Sequence, residues 1–385
     1  MKRSITPLVA LALLLLTPAL PARASQELRD KLAGMAKEIL ANTKNQPVTV
    51  GQFSPTDLPS SNAAVGIEQV LVSQLKVLAA TSVSADAMFE VKGDIGFVKS
   101  RATPELKAIK IIARIIRKED NEELKELRVT AEMTDNKTLA EILQATASLP
   151  DTGTKRERQA ELEQKARNPK AFIRDKTRIA SSEESPYEIE LRVKPLKDHE
   201  KHAATAREAT DEKGQAFVRI DRDELYEVVV HNKSDREVAV ALTIDGLDVF
   251  HFSKDRVRET KEQANGSQLV VDRPRFTHFI VAKNSSATIV GWHHSLQGER
   301  TADGKIANYL SFLVTAHGQG AVTKAGITAR GNVGVIHAQF SLTSPAGKGR
   351  SGSETGFGPP REVKQTAVER DIDPPSDFVT VRYAR

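Results

Sequence analysis

The sequence predicts an α+β protein of two domains, an N-terminal α/β sandwich domain followed by a C-terminal antiparallel β-sandwich. Three observations predict it. Helix-period and strand-period apolar patterns alternate as far as Pro150. From Tyr187 onward, short strand-like runs recur with turn residues between them and no helical pattern. The clearest of these runs, 237–250, sets Val238, Val240, Leu242 and Ile244 two apart, on one face of a strand, before Asp245-Gly246 ends it. At 385 residues the chain is also too long for one ordinary core.

The first 24 residues carry the three parts of a secretory signal peptide: Lys2 and Arg3, the apolar run 8–16, and Ala22-Arg23-Ala24 before Ser25. Cleavage is expected after Ala24. The apolar run is too short to span a bilayer, so no transmembrane segment is expected. Removing Lys2, Arg3 and Arg23 takes the formal charge from +5 to +2, with both signs mixed along the chain, which argues against nucleic acid as a partner. There is no cysteine, hence no disulfide, no thiol nucleophile and no thiolate metal site. An exported chain held together by burial alone points to a bacterial periplasm or to secretion.

Residues 25–150 read as the first domain. Leu28, Leu32, Met35, Ala36, Ile39 and Leu40 recur at helical spacing, 47–53 is a short strand, and Ile67, Val70, Leu71, Leu75 and Leu78 give a second amphipathic helix. A strand over 89–98 with Gly93 and Gly96 follows, then a hairpin of 106–116 and 124–133 closed by 119–122. Thr138-Leu139-Ala140-Glu141 matches a capping box and predicts a third helix to about Ala147, before Pro150. Residues 151–185, rich in Lys, Arg, Glu, Gln and Ser, read as a charged linker with one exposed helix over 154–167.

In the second domain, 186–385, strands are expected at 188–193, 216–220, 225–231, 238–244, 269–271, 276–282, 287–292, 309–315, 333–340 and 378–383. Asn232-Lys233-Ser234-Asp235 has the composition of a hairpin loop between two of them. The charged stretch 194–213 reads as an exposed insertion, and 344–360, rich in Gly and Ser, as a flexible loop.

The element order up to Pro150 has a helix before a Val-rich strand ending in Phe53 and a second helix ending in Leu75 and Leu78. Phe89-Glu90-Val91-Lys92-Gly93 and a long hairpin follow. This order resembles the periplasmic domain of the curli-secretion (CsgG-like) and penicillin-binding-protein-activator lipoproteins. The resemblance implies a non-enzymatic envelope protein that assembles with itself or activates a protein partner. The chain lacks that group's lipid-anchoring cysteine, and its hairpin carries Lys107, Lys110, Arg114, Arg117 and Lys118, which suits a solvated sheet rather than a pore. Asp245-Gly246 before Leu247 and Phe250, Gly291-Trp292, and Gly334-Val335-Ile336 resemble a β-sandwich module of bacterial exported proteins, which implies fold but no active site.

Candidate chemistry is sparse. All nine histidines lie from His199 onward, and zinc would need three or four of them to converge. His293 and His294 are neighbours on an extended chain and point to opposite faces, so ordinary surface and edge-strand roles are expected and no metal or other cofactor. Asp245, with Asp248 or a distant carboxylate, has the residue type of a glycosidase acid or nucleophile. The simpler role is an Asx turn that stops the strand at Gly246. Trp292, the single tryptophan, is either a sugar-stacking platform or a core plug. Lys348 and Arg350, with Arg361, can hold an anionic glycan; the segment 347–352 lacks phosphate-loop spacing.

The expected function is therefore binding or assembly in the cell envelope rather than catalysis, with strand edges of the sandwich as contact surfaces. The competing expectation is a polysaccharide-acting hydrolase with its carboxylates in the sandwich.

Overall fold

The computed structural model describes residues 12–15, 23–56, 63–79, 81–132, 139–140, 143–150, 152–262, 268–301, 304, 306–316, 319–325, 334–345, 352–353 and 365–383. The chain is α+β and rich in strands. Among the described residues, no helix is long and apolar enough to cross a membrane.

In the N-terminal half, α1 (Arg23–Asn42) and α2 (Ala63–Leu78) cover one face of a four-stranded sheet, β1 (Val48–Pro55), β2 (Phe89–Lys99), β3 (Lys107–Arg117) and β4 (Glu122–Glu132), hydrogen-bonded in that order. Alternation decides the faces. Val91, Ile95, Ile109, Ile111, Ala113, Ile115 and Leu127 are buried in the same core as Leu32, Met35 and Ile39 of α1 and Ile67, Leu71 and Leu75 of α2. The other face carries an ion-pair ladder in which Arg114 reaches Asp94 at 2.8 Å and Glu126 at 3.3 Å. Gly93 is needed where it stands, because a Cβ there would lie 1.7 Å from the Ile112 carbonyl oxygen.

The ladder between β1 and β2 slips between Val50 and Phe53. The buried Glu68 of α2 meets this bulge, accepting a bond from the Phe53 amide at 2.7 Å. Glu68→Ala is expected to cost about 1–3 kcal/mol by orphaning that buried amide, whereas Glu68→Gln, which keeps an acceptor, costs less. Urea melts of the two variants check the difference.

Past the third helical turn at Leu139, Ala140 and Leu143 the chain leaves the predicted course. Thr138 and Glu141 of the capping box lie outside the described residues. The helix does not run to Ala147. Gln144 turns with φ +48°, and β5 (Ala147–Ser148) instead pairs with the last strand of the C-terminal domain. The helix in the charged connector, α3 (Lys155–Arg167), is present and opens on a capping box of Thr154 and Glu157. It is not wholly exposed, because Leu162 is buried and Gln159 accepts a bond from the Lys107 amide at 3.0 Å.

The sandwich has two sheets. In chain order its main strands are β6 (Phe172–Arg174), β7 (Arg178–Ala180), β8 (Tyr187–Pro195), β9 (Ala209–Glu212), β10 (Gln215–Val218), β11 (Glu224–Asn232), β12 (Val238–Ile244), β13 (Phe279–Val281), β14 (Ser285–Ile289), β15 (Gly291–His293), β16 (Tyr309–Leu313), β17 (Val335–Pro345) and β18 (Asp377–Tyr383). One sheet runs β9-β10-β18-β17-β12-β13; the other runs β15-β16-β11-β8-β7-β6, with β14 also paired to β11. Among these strands pairing is antiparallel except where β10 meets β18. Tyr187 stacks on Phe340 at 5.0 Å and Tyr226 packs on Tyr383 at 5.5 Å, joining the inner faces.

Two features of the sandwich differ from the sequence expectation. β6 and β7, inside the stretch read as linker, form a hairpin that extends the β8 sheet. The strands flanking Asn232-Lys233-Ser234-Asp235 are not a hairpin: β11 and β12 belong to opposite sheets, so the loop is an arch across the core. Buried Asn232 spans this arch, donating to the carbonyls of Arg236, Val281 and Ala282 and accepting from Ser234. The segment Ala12–Leu15 of the expected leader is a strand between β13 and Gln365–Val368. Two backbone bonds join the sheets at their sides, from the Ala209 amide to the Lys176 carbonyl and from the His293 amide to the Val249 carbonyl.

Candidate functional site

The residues singled out by the sequence fall into separate places. Asp245 and Gly246 take φ of +52° and +79° and close a two-residue turn between β12 and Leu247–Asp248. That is the conformation an Asp-Gly pair favours. The Asp245 carboxylate, however, does not cap its own turn. Oδ1 accepts from the amides of Gly334 at 2.6 Å and Val335 at 2.9 Å, and Oδ2 from the Tyr383 hydroxyl at 2.9 Å. The Asx bond expected of Asp245 is made by Asp248, whose Oδ1 accepts from the Phe250 amide at 2.8 Å. Burial pushes the Asp245 carboxyl above its ordinary value, while the three donors pull it back.

Trp292 is buried and packs edge-on against Phe252 and Phe312, with ring centroids 5.3 and 5.4 Å away. Its neighbour His293 is fully buried among Phe250, Phe276 and Tyr309. His293 Nδ1 meets Ser253 Oγ at 3.0 Å, and among the described residues Nε2 has no hydrogen-bond partner. A Ser–His pair without a carboxylate orienting the ring lacks the third member that activates a nucleophile. Burial, reinforced by His294, pushes His293 down to about 3, and burial then Arg256 push His251 down to about 4. Among the described residues no three His, Asp or Glu side chains gather to hold a metal. Lys348 and Arg350 lie outside the described residues.

A further polar constellation escaped the sequence reading. On β8, Ile189, Leu191 and Val193 face the core, so Glu188, Glu190, Arg192 and Lys194 share the outer face. Glu188 is buried there, its Oε1 accepting from Arg174 and Lys233, each at 2.6 Å. Glu190 pairs with Arg192 at 2.6 Å and lies 3.8 Å from His231 Nε2. Burial raises the Glu188 carboxyl, but the Lys233 and Arg174 bonds outweigh it and hold the group below the usual carboxylate range. The run Glu-Ile-Glu-Leu-Arg-Val-Lys is the local signal of this ledge: charges on one face of a strand whose other face is aliphatic. The Arg174 and Lys233 head groups bond the Glu188 carboxylate directly, and Lys194, itself buried, bonds the His199 carbonyl.

The residues singled out are thus bonded or packed in different places: Asp245 on Gly334, Val335 and Tyr383, Asp248 on Phe250, and Trp292 on Phe252 and Phe312. The backbone offers a different kind of site. β4, eleven residues long, ends the four-stranded sheet and, among the described residues, pairs with β3 alone. No family model, no curated protein and no solved structure matches this chain.

Proposed function

We propose that this chain is an exported cell-envelope protein that works by binding, assembling with a protein partner or with a second copy of itself. One contrast supports the reading. The polar groups with catalytic chemistry are spent on internal bonds, while an eleven-residue edge strand has backbone donors and acceptors facing outward. At eleven residues β4 is longer than the end strands β6, β9 and β15 of the sandwich sheets, so β4 supplies the contact edge. Exposed Glu122, Glu123, Lys125 and Arg128 line that edge. Charges there discourage indiscriminate pairing and select a strand of complementary pattern.

Site-specific photo-crosslinking tests it. A photoreactive residue at Lys125 or Arg128 is expected to give a discrete adduct in the envelope, either a dimer or one partner, while the same residue at Lys233 on the sandwich gives none. Adducts from Lys233 alone, or cleavage of envelope polysaccharide by the purified chain, would remove the proposal.

A further inference from the structure

Ala338 and Phe340 of β17 face the opposite sheet, so His337 and Gln339 face outward. Yet His337 is 1% and Gln339 2% exposed. The segment 143–149, leaving the N-terminal domain, lies over that face. β5 pairs with β18, the Leu149 amide bonds the Ser376 carbonyl at 2.7 Å, Thr146 Oγ1 accepts from the Thr380 amide at 3.0 Å, and Ser148 Oγ donates to Asp377 at 3.0 Å.

The bonds to Thr380 put a proton on His337 Nδ1. Thr380 Oγ1 is 2.9 Å from the Gln144 carbonyl, which can only accept, so the hydroxyl proton points there. His337 Nδ1 is 2.8 Å from the same Oγ1 and must donate to it. Nε2 is then the acceptor, and the Gln339 amide nitrogen donates to it at 3.2 Å. A neutral ring is built into the joint, and a second proton has to enter on Nε2, against an N–H. The surrounding groups are Thr243 across β12, Phe378 stacked at 6.2 Å and Thr380 on β18, Gln339 on the same strand and the Gln144 carbonyl of the connector. Among the described residues none of these titrates. Burial alone pushes His337 down, to about 3, with no charged group contributing.

We propose that His337 is an acid-sensitive latch between the two domains, protonation releasing the connector 144–149 from β18 while each domain stays folded. The opened joint hydrates the ring, which then regains an ordinary affinity of ~6.5, so the open population rises about tenfold per pH unit below that value, roughly 100-fold by pH 4.5.

Hydrogen exchange on the full chain between pH 7 and 4.5, corrected for intrinsic rates, reads this directly. The 143–149 peptide and the Thr380 amide, which bonds Thr146, are expected to lose protection by that factor, while β18 amides bonded to β17 and the strand 225–232 in the opposite sheet change far less. His337→Asn keeps a donor near the Nδ1 position but cannot take a proton, and should abolish the pH response. Gln339→Glu supplies an acceptor for a protonated Nε2 and should blunt it with the ring in place, which carries the test if the asparagine variant does not fold. Equal loss of protection in 225–232, or an unchanged acid response in whichever variant folds, would overturn the latch.

Discussion

Asp245→Ala is expected to destabilise the sandwich by several kcal/mol. The substitution strands the amides of Gly334 and Val335 and the hydroxyl of Tyr383, all of which converge on one carboxylate. Each buried donor left without an acceptor costs roughly 1–3 kcal/mol. Alanine also fits poorly at φ +52°, a conformation that Asp and Asn tolerate. The total is a large share of a domain stability of about 5–15 kcal/mol. Asp245→Asn keeps an oxygen for the two amides and presents an NH₂ that the Tyr383 hydroxyl can accept from, so it should recover most of the loss. Chemical denaturation of the two variants checks this. If alanine and asparagine behave alike, the carboxylate is not the centre of the bonding, and a role at an open surface returns.

Acidification is the second large effect. His293 and His337 are both held neutral by burial, at about 3, well below the ~6.5 of an unfolded chain. A group depressed in this way contributes its stability in full above pH ~6.5 and loses it as the pH falls from there toward ~3. By pH 4 the loss is about 3 kcal/mol for each ring. His251, pushed down to about 4, acts in the same direction. The paired carboxylate of Glu188 adds to the loss at lower pH, whereas Asp245 and Asp255, held above their ordinary values by burial, oppose it. Melting experiments between pH 7 and 4 should show a steep decline, and His293→Phe, which fits the surrounding rings but cannot be protonated, should remove about a third of what the three rings contribute. A slope unchanged by that substitution would place the acid sensitivity elsewhere.

The candidate site was legible only in part. The sequence identified the Asp245-Gly246 turn, because the pair of left-handed residues is a local property of those two positions. It misassigned the carboxylate, whose acceptors' partners are 89, 90 and 138 residues away. The Asx bond belonged to Asp248 instead. The Glu188 ledge was written in the alternation of 187–195 but passed over, since a row of charges on a strand ordinarily faces water. His337 had no signal in its neighbourhood: the connector that buries it begins nearly two hundred residues earlier in the chain.

What the sequence determined by itself was most of the longer elements and the face each of those buries. Val238, Val240, Leu242 and Ile244 all lie at 0–1% exposure, as their spacing requires, and the apolar stripe of α1 lies in the core. Tertiary structure decided which elements meet: that 232–237 crosses between sheets instead of turning back, that 172–180 joins the sandwich instead of linking to it, and that 145–149 docks on β18 instead of ending a helix. Periodicity of side chains is set by backbone geometry within a few residues, so it can be read along the chain. The partner of a buried edge or an unpaired donor is selected by the whole packed arrangement, where groups far apart in sequence satisfy one another at least cost in exposed apolar surface and missing hydrogen bonds.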